Sequence, residues 1–283
     1  MRLLKKVLIF GAGSYIGESF ARYAQGRFDV TTVDSTNDQW QKLDFSGFDC
    51  VVYVAGIAHR KQNKSDGGIY YAVNRDLAVS AAQKAKAENV GQFVYFSSLY
   101  AFGVTKGEIS ANTDSLPVDP YALSKFEAEK LLEPMQSEDF KIAVVRPPMV
   151  YGPGSKGNFP QLVKMAKTLP LIPTVKNKRS MIFIDNLAEF LAIVIEERAS
   201  GVLCPQNKDY VSTAKMMEEI VKHSGKKSFR FPLMNLPIFL FSPLSQSLQS
   251  AFGSLYYSPA VSKMPFDREY QLVDFEESIR KSV

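Results

Sequence analysis

The chain has 283 residues and is 46% hydrophobic, which is enough for a core of one or two domains and excludes a disordered chain. Its 34 Lys and Arg against 29 Asp and Glu leave a net charge of +5, all of it after residue 150; residues 151–184 carry Lys156, Lys164, Lys167, Lys176, Lys178 and Arg179 and no acid. Two cysteines, Cys50 and Cys204, and two histidines exclude a disulfide framework, a structural zinc site and a multi-histidine metal centre, and fit a reducing cytoplasm.

Residues 7–10 read as a strand, and the apolar run stops at Gly11, too early for a signal-peptide core. A helix is predicted over 15–25, a strand over 28–33 and a third strand over 50–55. Residues 70–88 form a helical pattern with Val73, Leu77, Ala81 and Ala85 on one face. A strand over 92–96, a helix over 120–135 and a strand over 141–145 follow. This β-α-β succession predicts an α/β fold, a Rossmann doubly wound parallel sheet over residues 1–150. After Pro147-Pro148 the regularity breaks. Helices are expected over 159–167, 186–197, 213–223, 236–252 and 275–280, giving a smaller, mostly helical lobe over 151–283, interleaved with the first and not folding alone. The most apolar later run, 236–241, is cut by Pro237 and Pro243 and is far below the ~20 residues of a membrane span.

Gly11-Ala12-Gly13-Ser14-Tyr15-Ile16-Gly17 lies between the first strand and the first helix. Glycines there admit a pyrophosphate to free N–H groups at a helix N-terminus. Asp34 ends the second strand, where a carboxylate accepts hydrogen bonds from a ribose diol and repels a 2′-phosphate. Residues 35–40 hold no base, so NAD(H) is favoured, with NADP(H) the alternative. Tyr121 and Lys125 stand at i and i+4 on one helix face, where the ammonium would lower the phenol's pKa from roughly 10. Ser97 and Ser98 end the strand over 92–96, facing the ligand crevice of an open α/β sheet.

In these motifs the sequence resembles the extended short-chain dehydrogenase/reductase family, whose members modify nucleotide sugars. The likeness extends to Asp44-Phe45, Tyr53-Val54-Ala55-Gly56, Asn74, 146–152 and Arg179 with Asp185-Asn186-Leu187, over nearly the whole chain. It implies a catalytic set of Ser98, Tyr121 and Lys125, Ser98 being the serine five residues before Gly103. It implies cofactor contacts from Gly11, Gly13, Ser14, Tyr15, Ile16, Gly17, Asp34, Asp44, Phe45, Ala55, Gly56, Asn74 and Lys125. Asp44-Phe45 would meet the adenine, and Asn74 would support the active-site helix. Substrate contacts would come from Ser97, Ser98, Tyr121, Asn158 and Arg179, the last at the phosphates. Ser14 stands where a third glycine is usual. Leu99-Tyr100 replace the Asp-Glu pair of the 4,6-dehydratases, which argues against dehydration.

Residues 154–159, 169–173 and 177–180 look like bacterial polysaccharide enzymes that reduce UDP-4-keto-6-deoxy-N-acetylhexosamines to UDP-N-acetylquinovosamine or UDP-N-acetylfucosamine. The basic stretch 156–179 would face the diphosphate. A UDP-hexose or UDP-N-acetylhexosamine 4-epimerase with tightly bound NAD stays open, as does, more remotely, a non-catalytic nucleotide sensor. The resemblance implies a homodimer through the helices at 70–88 and 120–135 and a UDP-sugar partner; the bases are scattered with no recognition motif, which argues against nucleic acid, and no apolar run is long enough for membrane insertion. His59 falls near the expected site mouth, in what is otherwise a surface loop. His223 reads as a charge at a helix C-terminus.

Overall fold

A computed structural model describes residues 4–57, 67–169, 171–241 and 245–283; His59 lies outside them. The first strand, β1 (Lys6–Phe10), is wholly buried from Val7 to Phe10, as a parallel strand covered on both faces must be. Helix α1 (Tyr15–Tyr23) returns the chain to β2 (Asp29–Val33), and β3 (Cys50–Tyr53) follows. Next come α2 (Gly67–Tyr70), a π-helical turn (Tyr71–Asp76), α3 (Leu77–Ala87) and β4 (Gln92–Phe96). A short β5 (Gly107–Ile109), α4 (Pro120–Leu132) and β6 (Lys141–Val145) complete the first half.

The second half runs β7 (Met149–Tyr151), α5 (Asn158–Thr168), β8 (Leu171–Ile172), β9 (Met181–Phe183), α6 (Ile184–Glu196) and β10 (Gly201–Leu203). It ends with α7 (Thr213–His223), β11 (Phe229–Arg230), α8 (Asn235–Phe241), α9 (Gln246–Phe252), β12 (Leu255–Tyr257) and α10 (Phe275–Ser282).

Six strands form one parallel sheet in the order β10-β6-β4-β3-β1-β2, the doubly wound fold expected. The order reverses between β1 and β3, and the crevice beyond that reversal is where such sheets hold ligands. On one face α1 and α6 pack Phe20, Phe190 and Leu191 against Val7, Ile9 and Val52. On the other, α3 and α4 present Ala78, Ala81, Ala82, Ala85 and Ala128 to Leu8, Val51 and Phe93; these small side chains let the helices lie close. Each fully buried Phe or Leu contributes ~1.5–3 kcal/mol. Both cysteines are buried filler, and burial pushes the Cys204 thiol up to about 12.

The structure differs from the sequence reading in two helices and in the short strands. The helix expected over 70–88 contains a π-helical turn. Its cause is visible: Tyr53 donates to Val73 C=O and Tyr95 to Asn74 C=O, both at 2.7 Å. The single helix expected over 236–252 is two, α8 and α9, the second capped by Ser245, which accepts from Leu248 N–H at 3.3 Å. Strands β5, β7, β8, β9, β10, β11 and β12, two or three residues each, were not foreseen; in β10, for example, Val202 is exposed. Among the described residues no helix is long and apolar enough to cross a membrane.

Candidate active site

The glycine loop closes around β1 and β3. Gly11 has φ +125°, and a Cβ there would meet Ala55 N at 2.7 Å. The Gly11 and Ala12 N–H groups both donate to Val33 C=O at 3.0 Å, tying the loop to β2 and Asp34. Ser14 caps α1, accepting from Gly17 N–H at 3.2 Å, so serine at this position supports the helix. Gly13 N–H is not free as expected; it donates to Glu18 Oε1 at 3.1 Å. Asp34 is exposed and accepts from Thr36 N–H and Thr36 Oγ1 at 2.8 Å and from Asn37 Nδ2 at 2.9 Å. Thr36 first, then Asn37, hold its carboxyl below the usual range, so it stays charged.

Not every expected cofactor residue presents a side chain to the site. Phe45 is fully buried in the core with Trp40 and Phe10, so its ring is packing; only its neighbour Asp44 is exposed. Ala55 is buried behind Gly11. Asn74, carried inward by the π turn, is fully buried. It accepts from Ile57 N–H at 2.9 Å and donates to Ser124 Oγ at 3.2 Å, linking the chain after β3 to α4.

Beyond the C-terminal ends of β1, β3 and β4 lies a cavity of about 380 Å³. Its walls are Ser14, Tyr15 and Ile16 from the glycine loop, Gly56 after β3, the stretch from Phe96 to Tyr100, Tyr121 and Lys125 from α4, the stretch from Pro147 to Val150, Lys156, Asn158, Arg179, Ser180 and Leu255. Asp119 caps α4, accepting from Tyr121 N–H at 3.0 Å and Ala122 N–H at 3.2 Å, and Pro120 pre-sets the first turn. Tyr121 is thereby fixed in that turn, its ring edge-on to Tyr70 at 6.1 Å.

Burial raises the Tyr121 phenol above its ordinary pKa, and a hydrogen bond from Ser98 pulls it the other way. Ser98 also accepts from Tyr100 N–H at 3.2 Å. Ser97 instead donates to Glu129, which is locked to Arg146 Nη2 at 2.5 Å and Arg146 Nε at 3.1 Å. Of the two serines, Ser98 is therefore the one that meets the phenol. Lys125 is buried one turn beyond Tyr121, its Nζ 2.9 Å from Phe96 C=O and 4.9 Å from the centre of the Tyr95 ring. Burial lowers its pKa to about 7, and the Glu129 charge partly opposes this. The expected lowering of the phenol by Lys125 is thus not the dominant effect in the chain alone, because burial acts first on both groups.

Arg179, also in the lining, is buried, with Nη1 donating to Gly253 C=O at 3.0 Å. Of the basic stretch only Lys156 and Arg179 reach the cavity; Lys178 lies over the Tyr256 ring at 5.4 Å, and Lys164, Lys167 and Lys176 are off the walls. Tyr100, beyond the end of β4, and Leu255, in β12, also line the cavity.

The family profile of the NAD-dependent epimerase/dehydratases matches residues 7–211. The chain belongs to that family. Members and relatives bear this out: UDP-glucose 4-epimerase of Vibrio cholerae is 29% identical over 235 residues, covering 77% of this chain and 71% of that one. Two solved structures share the fold. UDP-glucuronic acid 4-epimerase from Bacillus cereus in complex with NAD has a TM-score of 0.72 at 17% identity, covering 98% of this chain and 94% of that one. dTDP-4-dehydrorhamnose reductase from Bacillus anthracis in complex with NADP has 0.68 at 19%, covering 81% and 84%. This member of the epimerase/dehydratase family is an NAD(P)-dependent enzyme of the extended short-chain dehydrogenase/reductase type.

The residues of this family member fit NAD(P). The Tyr15 hydroxyl is buried without a protein partner beside the cavity. Gly56 leaves room that a Cβ would fill, 3.1 Å from Lys125 Nζ and 3.2 Å from Asn74 Oδ1. Lys125 is costly for the free protein. Its pKa falls from 10.5 unfolded to about 7 folded, so the unfolded chain binds more protons between those pH values, and stability drops as pH falls from 10.5 toward 7. Lys125→Met is expected to raise the melting temperature of the cofactor-free protein by about 5 °C near pH 7. The gain should shrink toward pH 10; thermal unfolding across pH measures it, and a pH-independent difference would refute the burial account.

Proposed function

We propose that the chain is a nucleotide-sugar 4-keto reductase, converting a UDP-4-keto-6-deoxy-N-acetylhexosamine to UDP-N-acetylquinovosamine or UDP-N-acetylfucosamine. The carrying observation is that one cavity is lined by Ser98, Tyr121 and Lys125 together with Lys156, Asn158 and Arg179. NAD(P)H, when bound, supplies the hydride. Tyr121 donates its proton to the sugar O4; a phenol that burial keeps protonated is in the state that step needs. Ser98 donates a hydrogen bond to the same oxygen. Lys125, as its ammonium form, stabilises the phenolate left behind. Gly11, Gly13, Ser14, Tyr15, Ile16 and Gly17 would hold the pyrophosphate, and Arg179 with Lys156 the UDP diphosphate. The charged Asp34 supports NAD(H) over NADP(H). The enzyme is read as cytoplasmic and as a homodimer packed through α2–α3 and α4, which a solution mass twice that of one chain would support.

Two observations favour a second reading, a 4-epimerase retaining NAD: the Vibrio cholerae relative and Asp34. Incubation with UDP-4-keto-6-deoxy-GlcNAc separates them. The reductase oxidises NADH stoichiometrically, at least about tenfold faster than NADPH, and yields a 4-hydroxy product by NMR. Interconversion of UDP-GlcNAc and UDP-GalNAc without cofactor consumption would establish the epimerase instead.

A further inference from the structure

The chain after α7 turns apolar side chains outward. Phe229 is 66% exposed, Leu233 69%, Leu236 60%, Phe239 78%, Leu240 57% and Phe241 56%. Single exposed apolar residues are ordinary, but with Phe231 there are seven in thirteen positions, four of them Phe, a density of the kind that marks a docking surface. The segment is anchored. Strand β11 pairs with β8, Phe231 N–H donates to Ile172 C=O at 2.9 Å, and Thr174 N–H donates to Asn235 Oδ1 at 2.9 Å.

Charge indicates what the patch meets. Residues 220–266 contain five bases and no acid, and residues 151–184 contain six bases and no acid. Lys226 joins the two stretches, its Nζ donating to Lys167 C=O at 2.7 Å. The carboxylates that reach this region are paired, Glu218 with Arg230 at 2.6 Å, and Glu219 and Glu276 with Lys222 at 3.1 and 3.4 Å. Lys164, Lys226 and Lys227 are exposed on the two basic stretches that Lys226 joins.

We propose that this face docks on an anionic lipid bilayer. Leu236, Phe239, Leu240 and Phe241 enter the headgroup layer, and Lys164, Lys226 and Lys227 meet the lipid phosphates. A Phe- and Leu-rich face together with exposed lysines is the composition that interfacial binding uses, since apolar burial and attraction to anionic lipid act together. The seven residues of α8 are far too few to span, so the docking is peripheral, unlike the insertion the sequence excludes.

Sedimentation of the full chain with vesicles tests this, using phosphatidylcholine alone and with about one-third phosphatidylglycerol. Retention is expected on the anionic vesicles and to fall by roughly tenfold on the neutral ones, in high salt, and for Lys226→Gln with Lys227→Gln. Leu236→Gln with Phe239→Ser and Leu240→Gln should abolish it while leaving NADH binding intact. The lysine pair and the salt series keep the test decisive if the apolar variant folds poorly. No retention of the unaltered chain on anionic vesicles would overturn the proposal. So would an apolar variant that converts a larger assembly to a smaller one in solution when the unaltered chain ignores vesicles; the face would then belong to a second copy of the chain.

Discussion

Tyr121→Phe is expected to lower kcat by about 10²–10⁴ while leaving NADH affinity within a few fold. The substitution removes one oxygen and keeps the ring, so the edge contact with Tyr70 and the capped first turn of α4 survive. What is lost is the proton donor. Ser98 cannot replace it, since an alkyl hydroxyl is a far weaker acid, and Lys125 points at Phe96 C=O. Ser98→Ala should cost less, because it removes a hydrogen bond to the reacting oxygen and not the proton itself. The rate of NADH oxidation with a 4-keto sugar reads kcat, and quenching of NADH fluorescence reads binding. A Tyr121→Phe enzyme with full turnover would remove the phenol from the chemistry.

The parts of the site that follow from local chemistry are legible in the sequence. Residues 7–17 must be strand, turn and helix because an apolar run meets glycines and a capping serine. Tyr121 and Lys125 must share a face because four residues are about one helical turn. Strands β4 and β6 were delimited to the residue, since each is a short apolar run between polar positions. Long-range packing was not legible. Nothing near Asn74 signals that phenols from β3 and β4 will take the carbonyls of its turn and make it π-helical. Phe45 carries no local mark that sends its ring into the core behind Trp40. Residue counts likewise overstated the basic wall. Six bases in 151–184 suggested one electrostatic surface, yet the fold turns only Lys156 and Arg179 to the cavity. Lys178 is diverted by the rings of Tyr210 and Tyr256, which lie far from it in sequence.

Glu129→Leu is expected to destabilise the protein by about 3–5 kcal/mol, because it leaves the Arg146 guanidinium buried without its counter-charge. Arg146 and Glu129 side chains are only 5% and 6% exposed and meet through two hydrogen bonds. Arg146 would keep Ser115 Oγ at 3.0 Å and the face of Phe102 at 4.2 Å, contacts that soften the loss without neutralising the charge. Removing both ions, as Glu129→Leu with Arg146→Met, should recover most of that stability, since a matched apolar pair loses no buried counter-ion. Thermal unfolding of the two variants gives the comparison, with a fall of about 10 °C expected for the single one. A catalytic readout separates this from simple destabilisation. The Glu129 charge helps hold Lys125 protonated, so its loss lowers the Lys125 pKa further below about 7. The ammonium that stabilises the Tyr121 phenolate is then lost at a lower pH, and the alkaline limb of the rate profile should move to lower pH in Glu129→Leu. Glu129→Asp, which restores the charge, should move it back; a profile unchanged in both variants would confine the pair to a structural role. Ser97 loses its acceptor in the same substitution, which loosens the strand end that carries Ser98 and should lower kcat as well.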